Sequence, residues 1–529
     1  MQTNDNSSQM APEGVGAGPG QARARRRRLR KEDVVIVKRR PMKQAIGGTV
    51  VGNFMEWFDF GIYGYLAVVM THVFTEGLPQ QTGLIIMLLG FAVSFLVRPL
   101  GGMVLGPLGD RIGRQKVLFL TMGMMALATA LIGLLPTAAQ IGLWATVPLY
   151  LLKMVQGFST GGEYAGATTY VSEFSPDKKR GYFASWLDVG SYLGFAAGAA
   201  TVAVTTIIAE SVWGETAMAD GAWRIPYLIA IPLGAVAIYL RTRIPETPHF
   251  EEDEDDAPKP ETADPMFQRL GIGGILKHYW REVLIGIAIV AATNTAGYAL
   301  TSYMPAYLET EVGTTPTMAA AATVPVLIVM ALCLPLIGRL SDRIGRRPVY
   351  GIAVVATLVL MLPAFMLMHV GTFWAIQGAL VLVAIPVAFY VAISAAALPA
   401  LFPTASRFGA MAISYNVAVA LFGGTTPVFS QGLISLTGNH YMPAFYIMFF
   451  GLLGGVAMLC MRETAKRPLL GSMPTVESEA EARRLVRDQT ENPYIDTSTM
   501  PLQVITQAPA AAADNADVKT AAAGTTKVD

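Results

Sequence analysis

Gly106-Pro-Leu-Gly-Asp110-Arg111-Ile-Gly113-Arg114-Gln-Lys116 and Gly338-Arg-Leu-Ser-Asp342-Arg343-Ile-Gly345-Arg346-Arg-Pro348 are two copies of one charged turn. Each joins two apolar segments of helix length, at the same place in each half of the chain. A turn repeated in this way predicts a duplicated helical bundle in a membrane, with two halves able to rock about a site between them. Transport is the first function that such an arrangement implies.

The composition agrees. The 529 residues are 53% hydrophobic and 15% charged, with mean hydropathy +0.45, against about 25% charged in soluble domains. The apolar residues fall in runs long enough to cross a bilayer, which takes about 20 residues of helix. Net charge is +1, which favours no nucleic-acid partner. The only two cysteines, Cys333 and Cys460, lie in apolar runs, so neither a disulfide framework nor a Cys-rich metal site is expected.

Twelve spans are expected, at 46–70, 84–106, 117–136, 141–170, 183–208 and 224–242, then 282–308, 318–338, 349–369, 373–399, 408–433 and 441–461. They form an all-α integral membrane fold of two six-helix pseudo-symmetric bundles, 46–242 and 282–461. Residues 1–45 read as a disordered basic tail, 243–281 as a polar central loop with the acidic run Glu251–Asp256, and 462–529 as a C-terminal tail. Lys and Arg gather at 111–116, 178–180, 241–243, 339–347, Arg407 and 462–467. The alternate loops at 71–83, 137–140, 309–317, 370–372 and 434–440 have none. This places both termini and the central loop in the cytoplasm of a cell-membrane protein. The duplication continues in Arg180-Gly181 after span 4 against Arg407-Phe-Gly409 after span 10, and in Arg243-Ile-Pro-Glu246-Thr247 against Arg462-Glu463-Thr464.

These turns resemble the signature of the major facilitator superfamily. Gly52-Asn-Phe-Met-Glu56-Trp-Phe-Asp59-Phe-Gly-Ile-Tyr63-Gly64, Gln156-Gly-Phe-Ser-Thr-Gly-Gly-Glu163-Tyr164 and Ser185-Trp186-Leu-Asp188-Val-Gly190-Ser191 narrow the resemblance to the metabolite:proton symporters. Arg98-Pro-Leu-Gly-Gly102, Trp223-Arg-Ile-Pro226 and Glu463-Thr-Ala-Lys-Arg-Pro-Leu469 resemble its osmoregulatory proline/glycine betaine branch. The resemblance spans about 45–468. It implies proton-coupled uptake of compatible solutes such as proline, glycine betaine and ectoine, with the proton as coupling ion and no cofactor. Some relatives carry a C-terminal coiled coil, which is not matched here: Glu477–Arg487 offers a short helix without sustained heptads.

Ionisable groups inside a span are costly and mark function. Glu56, Asp59 and Tyr63 share one helix face. Asp59, Glu56, Glu163 and Asp188, in that order, are candidate proton-coupling residues; the plain alternative is that they are permanent ion-pair partners. For the substrate, a quaternary ammonium suits aromatic faces, at about 0.5–2 kcal/mol per contact. Trp57, Phe58, Tyr63, Trp186, Tyr298, Tyr390 and Tyr415 lie near mid-span, and Arg98 or Asn294 can hold a carboxylate. Structural packing is the competing reading for each ring. In the repeated turns, Asp110, Arg111, Arg114, Asp342, Arg343 and Arg346 are expected to latch one access state, in preference to simple positive-inside anchoring. No metal site is expected.

Alternatives remain open at this point. A symporter of 2-oxoglutarate, shikimate or citrate would favour several basic groups in the cavity, where the sequence offers Arg98 and Lys153. A drug exporter of the same superfamily is another. A membrane enzyme or non-transporting sensor has no nucleotide loop or nucleophile–base pattern behind it. The expected partners are a zwitterionic solute, a proton and the bilayer, with anionic lipid at the Arg23–Arg30 stretch. A monomer is expected.

Overall fold

Apolar helices that hydrogen-bond their own backbone are the one way an open chain can cross hydrocarbon, and the protein is built from them. The computed structural model describes residues 28–112, 114–242 and 264–502. Twelve helical rods run through these residues. We number them α1 (Arg39–Phe74), α2 (Gln80–Ile112), α3 (Arg114–Ile132), α4 (Ala138–Glu173), α5 (Arg180–Trp213) and α6 (Arg224–Thr242). The second half comprises α7 (Trp280–Thr310), α8 (Pro316–Ile344), α9 (Arg346–Met368), α10 (Phe373–Ala397), α11 (Thr404–Thr437) and α12 (Met442–Cys460).

The halves meet along two equivalent seams, α5 on α8 and α2 on α11. Close approach on the first seam depends on glycine. A Cβ on Gly338 would sit 2.6 Å from Ser185 Oγ and 2.9 Å from the Gly181 carbonyl carbon, so the first glycine of the repeated turn is required where α8 crosses α5. The second is required for a different reason: Gly345 has φ +107°, a backbone region that side chains disfavour, and it turns the chain from α8 into α9.

Three rods depart from regular helix near their middles. The α4 rod breaks at Gly161-Gly162, between Thr146–Thr160 and Glu163–Glu173. A π-turn occupies Ala299–Tyr303 in α7 and another Val419–Gly423 in α11. Such wide turns recur at functional sites because they re-aim the side chains beside them; here they follow Tyr298 and Tyr415.

The expectation of a disordered tail over 1–45 is corrected for residues 30–45. Val35–Ile36 pairs in parallel with Thr475–Val476, Lys31 bonds Glu479, and α1 already begins at Arg39. A basic, polar stretch finds order here because a second segment supplies acidic partners and a strand edge. Residues 1–27 and the acidic run 251–256 lie outside the described residues. The central segment resumes with a turn at Pro265–Phe267 and a helix at Ile272–His278.

The segment after α12 is folded across both halves. Glu463 accepts the backbone N–H groups of Arg346 (2.9 Å) and Arg347 (3.0 Å) and so caps α9. The Arg407 guanidinium donates to the Leu470 carbonyl (3.0 Å) and Arg180 to that of Arg467 (3.1 Å). Thr475 N donates to Asp177 (2.9 Å). The tail helix Glu479–Arg487 follows, with Lys179 paired to Glu477 (2.6 Å) and Lys178 to Glu481 (2.7 Å).

Candidate functional site

Two small cavities lie between and beside the rods. The larger, about 40 Å³, is lined by Trp57 of α1, Tyr164 of α4, Asp188, Ser191, Tyr192 and Phe195 of α5, and Thr293, Asn294 and Tyr298 of α7, with Ser394 of α10 and Tyr415 of α11. Both halves therefore contribute. That volume has room for water rather than for a solute the size of proline, so these walls must part for one to enter.

Its walls are mostly rings. Tyr164 and Tyr415 stack across the two halves with centroids 4.5 Å apart. Trp57 lies 5.1 Å from Phe195 and 5.8 Å from Tyr298. The charged group is Asp188: Oδ1 accepts from the Tyr164 hydroxyl at 3.0 Å, while Oδ2 is buried with no protein hydrogen-bond partner. The Tyr298 hydroxyl is likewise buried and unpartnered. Each such group is costly unless something polar arrives to meet it.

The second cavity, about 30 Å³, lies wholly in the first half and is lined by Glu56, Asp59 and Glu163 among Gly52, Met122, Met125 and Gly234. Glu56 and Arg98 form a buried ion pair at 2.8 Å. The guanidinium also rests on the rings of Phe95 (4.3 Å), Phe60 (5.2 Å) and Trp57 (5.3 Å). Asp59 accepts from Thr129 Oγ1 at 2.6 Å; Gln156 Nε2 donates to that same hydroxyl at 2.7 Å, and Lys153 donates to Gln156 Oε1 at 3.0 Å. All four groups are buried. Lys153 packs against the Tyr63 ring at 3.9 Å.

The structure thus divides the sequence candidates. Asp59, Glu56 and Glu163 share the smaller cavity, whereas Asp188 lines the larger one with Tyr298, Asn294, Tyr415 and Trp57. Arg98, Tyr63, Trp186 and Tyr390 line neither, and each is otherwise engaged. Arg98 is committed to Glu56. The Tyr63 hydroxyl donates to the Met87 carbonyl at 2.6 Å, Trp186 meets the Tyr182 ring edge-on with centroids 6.3 Å apart, and Tyr390 accepts from Thr357 at 3.2 Å. Phe58 is buried in the core of the first half.

At the end bearing the repeated turns, Asp342 accepts the N–H groups of Gly181 (2.8 Å) and Tyr182 (2.9 Å) and the Arg346 guanidinium (2.7 Å). An aspartate of the second half thereby sits on the N-terminus of α5, where the helix dipole favours negative charge. Arg407 adds an ion pair to Glu173 of the first half at 2.5 Å. Arg343 is exposed. The side chains of Asp110, Arg111 and Arg114 lie outside the described residues.

Sequence reasoning missed Thr129, Tyr164, Thr293 and Ser394. Nothing in their spacing marks them. Lys153 carried a signal, a cation within an apolar rod with Gln156 three residues on, the spacing of one helix face.

A two-bundle rod architecture, with charges deep inside the rods of one half and a cavity between the halves, is that of a multi-pass membrane transporter. A family model described as sugar (and other) transporter matches residues 46–472, and the chain belongs to that family, within the major facilitator superfamily. The ectoine/proline transporter ProP of Corynebacterium glutamicum is 63% identical over 89% of this chain and 94% of its own length. The glycine betaine/proline/ectoine/pipecolic acid transporter OusA of Dickeya dadantii is 39% identical over 87% of this chain and 91% of its own. The proline/betaine transporter of Escherichia coli is also 39% identical, with the same coverage. Among solved structures, the proton:xylose symporter XylE superposes with TM-score 0.61 at 16% identity, over 81% of this chain and 97% of its own, a likeness of fold.

Proposed function

We propose that this chain is a proton-coupled importer of zwitterionic compatible solutes, proline, glycine betaine and ectoine, working by alternating access. The observation that carries the reading is the ring-walled cavity shared by both halves, which includes Asp188 and, among its lining residues, no Lys or Arg. Aromatic faces attract an ammonium group, and a dicarboxylate would meet no cation there, which argues against the metabolite-acid alternative. The substrates named for the relatives support the same class.

The proton has its own place in this reading. Arg98 pairs with Glu56, and the charge of Lys153 acts on Asp59, in the cavity they share with Glu163. A charged carboxylate inside a membrane is strongly disfavoured, and taking up a proton removes that cost. Asp59 is our first carrier, since Thr129 holds its Oδ2 while Oδ1 is buried without a protein partner. Exchange of that proton between the two sides, as the halves rock, couples its flow to the solute. No cofactor enters the scheme.

Asp342, Arg346 and the Arg407–Glu173 pair act as the cytoplasmic latch. They join the halves in the observed state, and opening on that side must break them, so their strength sets its population. The repeated turns and both termini face the cytoplasm of a cell-membrane protein, with the Arg-rich tail near anionic lipid, at about 1 kcal/mol per basic residue. The protein acts as a monomer. The test is uptake of labelled solutes into proteoliposomes with an imposed pH gradient. Accumulation of proline and betaine is expected; accumulation of 2-oxoglutarate in their place would overturn the substrate class.

A further inference from the structure

Four carboxylates sit inside the first half, and their surroundings differ enough to separate their roles. Glu56, Asp59 and Glu163 share a cavity within one half, served by Arg98 and Lys153. Asp188 is on the other side of that division. It lines the cavity between the halves, where the remaining polar side chains are hydroxyls, one amide and the Trp57 indole, whose N–H is buried without a protein partner. Its Oδ1 is fixed by the Tyr164 hydroxyl. Its Oδ2 is buried, with no hydrogen-bond donor of the protein upon it.

We propose that Asp188 is the counter-ion for the substrate's ammonium group, a specificity-determining residue and not a carrier of the coupling proton. The inference rests on the osmolyte reading above and deepens it.

The chemistry follows from what surrounds the free oxygen. Trp57, Tyr164, Tyr192, Tyr298 and Tyr415 line the same cavity. Ring faces and a carboxylate are the two groups that recognise a methylated or cyclic ammonium without demanding several N–H donors. A secondary ammonium such as that of proline can donate to Oδ2, and a quaternary one can lie against it and the rings. The far end of a zwitterion meets a different wall. Thr293, Asn294 and Ser394 come from α7 and α10; the Thr293 and Ser394 hydroxyls donate to the carbonyls of Ile289 (2.9 Å) and Tyr390 (2.8 Å), while the Asn294 amide gives one N–H to Val290 (3.0 Å) and its other N–H suits the carboxylate. Binding would therefore bridge the halves, with the cationic end on α5 and the anionic end on the second half. The stack of Tyr164 on Tyr415 ties the positioning of Oδ1 to that same closure.

A pair of isosteric ligands tests the charge alone. Glycine betaine and 3,3-dimethylbutanoate have the same shape, but carbon replaces the ammonium nitrogen in the second. The wild-type protein in proteoliposomes should prefer betaine by about 100-fold in counterflow, the scale of a lost buried charge partner. Asp188→Asn should weaken betaine and bring the preference below about tenfold. A merely structural role would lower transport of both ligands together and leave their ratio unchanged. Should Asp188→Asn fold poorly, the wild type itself carries the test. Labelling of Asp188 by a hydrophobic carbodiimide, read by mass spectrometry, should be slowed by betaine and not by 3,3-dimethylbutanoate. Undiminished discrimination in a folded Asp188→Asn protein, or labelling indifferent to betaine, overturns this assignment alone. Failure of the wild type to bind betaine and proline at all overturns the osmolyte reading, and the assignment with it.

Discussion

The two halves share one architecture and differ in where they keep their charge. In the first half Glu56, Asp59, Arg98, Lys153, Glu163 and Asp188 lie well inside the rods. In the second, the ionisable Asp, Glu, Lys and Arg side chains of α7–α12 are confined to the ends, at Arg281, Glu282, Glu309, Arg339, Asp342, Arg343, Arg346, Arg347 and Arg407. What the second half offers the cavity is neutral: Thr293, Asn294, Tyr298, Ser394 and Tyr415. Duplication supplied two equal scaffolds, and only one carries carboxylates deep inside its rods. The other presents uncharged polar groups to the cavity the two share. Burying many charges in both halves would multiply a cost of several kcal/mol per ion without adding a second coupling device.

The comparison breaks most sharply at Asp59. Asp59→Asn is expected to abolish accumulation against a gradient while leaving part of the solute exchange, read in paired gradient-driven and counterflow assays. Retained uphill accumulation would remove Asp59 as the carrier and shift that role to Glu56 or Glu163.

The buried ion pair comes next. Glu56→Gln strands the Arg98 guanidinium among the Phe60 and Phe95 rings, Arg98→Gln strands the buried Glu56 carboxylate, and either alone should cost about 3–5 kcal/mol. The double substitution should cost less than the sum of the two. Thermal unfolding of the purified variants measures the cycle, and simple additivity would show that the pair holds nothing together.

A smaller effect is expected at the latch. Asp342→Asn weakens charge-assisted bonds to Gly181, Tyr182 and Arg346, each worth about 1.5–3 kcal/mol. The population should shift toward opening on that side, raising the rate at which a polar maleimide labels Ser185→Cys. An unchanged rate would argue that the bonds serve the α5 terminus alone.

The tail should respond least. Partial burial raises the Glu481 carboxyl, but the bond from Lys178, the Glu477 amide and the charges of Lys178 and Lys179 outweigh it and hold it below the usual range. A carboxyl depressed in the folded state contributes stability above its unfolded value, about 4.3, and loses it as pH falls through the folded one. Protease cleavage near Glu479–Arg487 should therefore stay flat from pH 7 to about 5 and rise only below about 4. Lys178→Gln should cost no more than about 0.5 kcal/mol, since Lys178 is exposed.

Much of this was legible beforehand because it is periodic or repeated. The twelve rods follow from apolar run lengths, and the observed ends differ from the expected ones by up to seven residues, mostly outward. The repeated turn announced its glycines, and Gly338 and Gly345 prove to need theirs for close approach and for positive φ. The folded tail was less legible. Its anchors are backbone carbonyls of Arg467 and Leu470, which carry no side-chain signature. The substrate-side candidates were legible only as a class. Aromatic residues at mid-span can pack, face lipid or line a cavity, and Tyr390 and Tyr298 look alike until packing puts Tyr298 on the shared cavity and Tyr390 against Thr357.

The sequence alone determined the membrane class, the duplication and which residues bear charge inside it, because hydrophobic run length and charge placement are local properties of a chain in a bilayer. Only the tertiary structure decided which charges meet. Arg98 found Glu56 across 42 positions, Asp59 found Thr129 across 70, and Asp188 was left one oxygen open to the shared cavity. Pairing of that kind depends on how rods rotate and cross, which is set by packing among all of them at once.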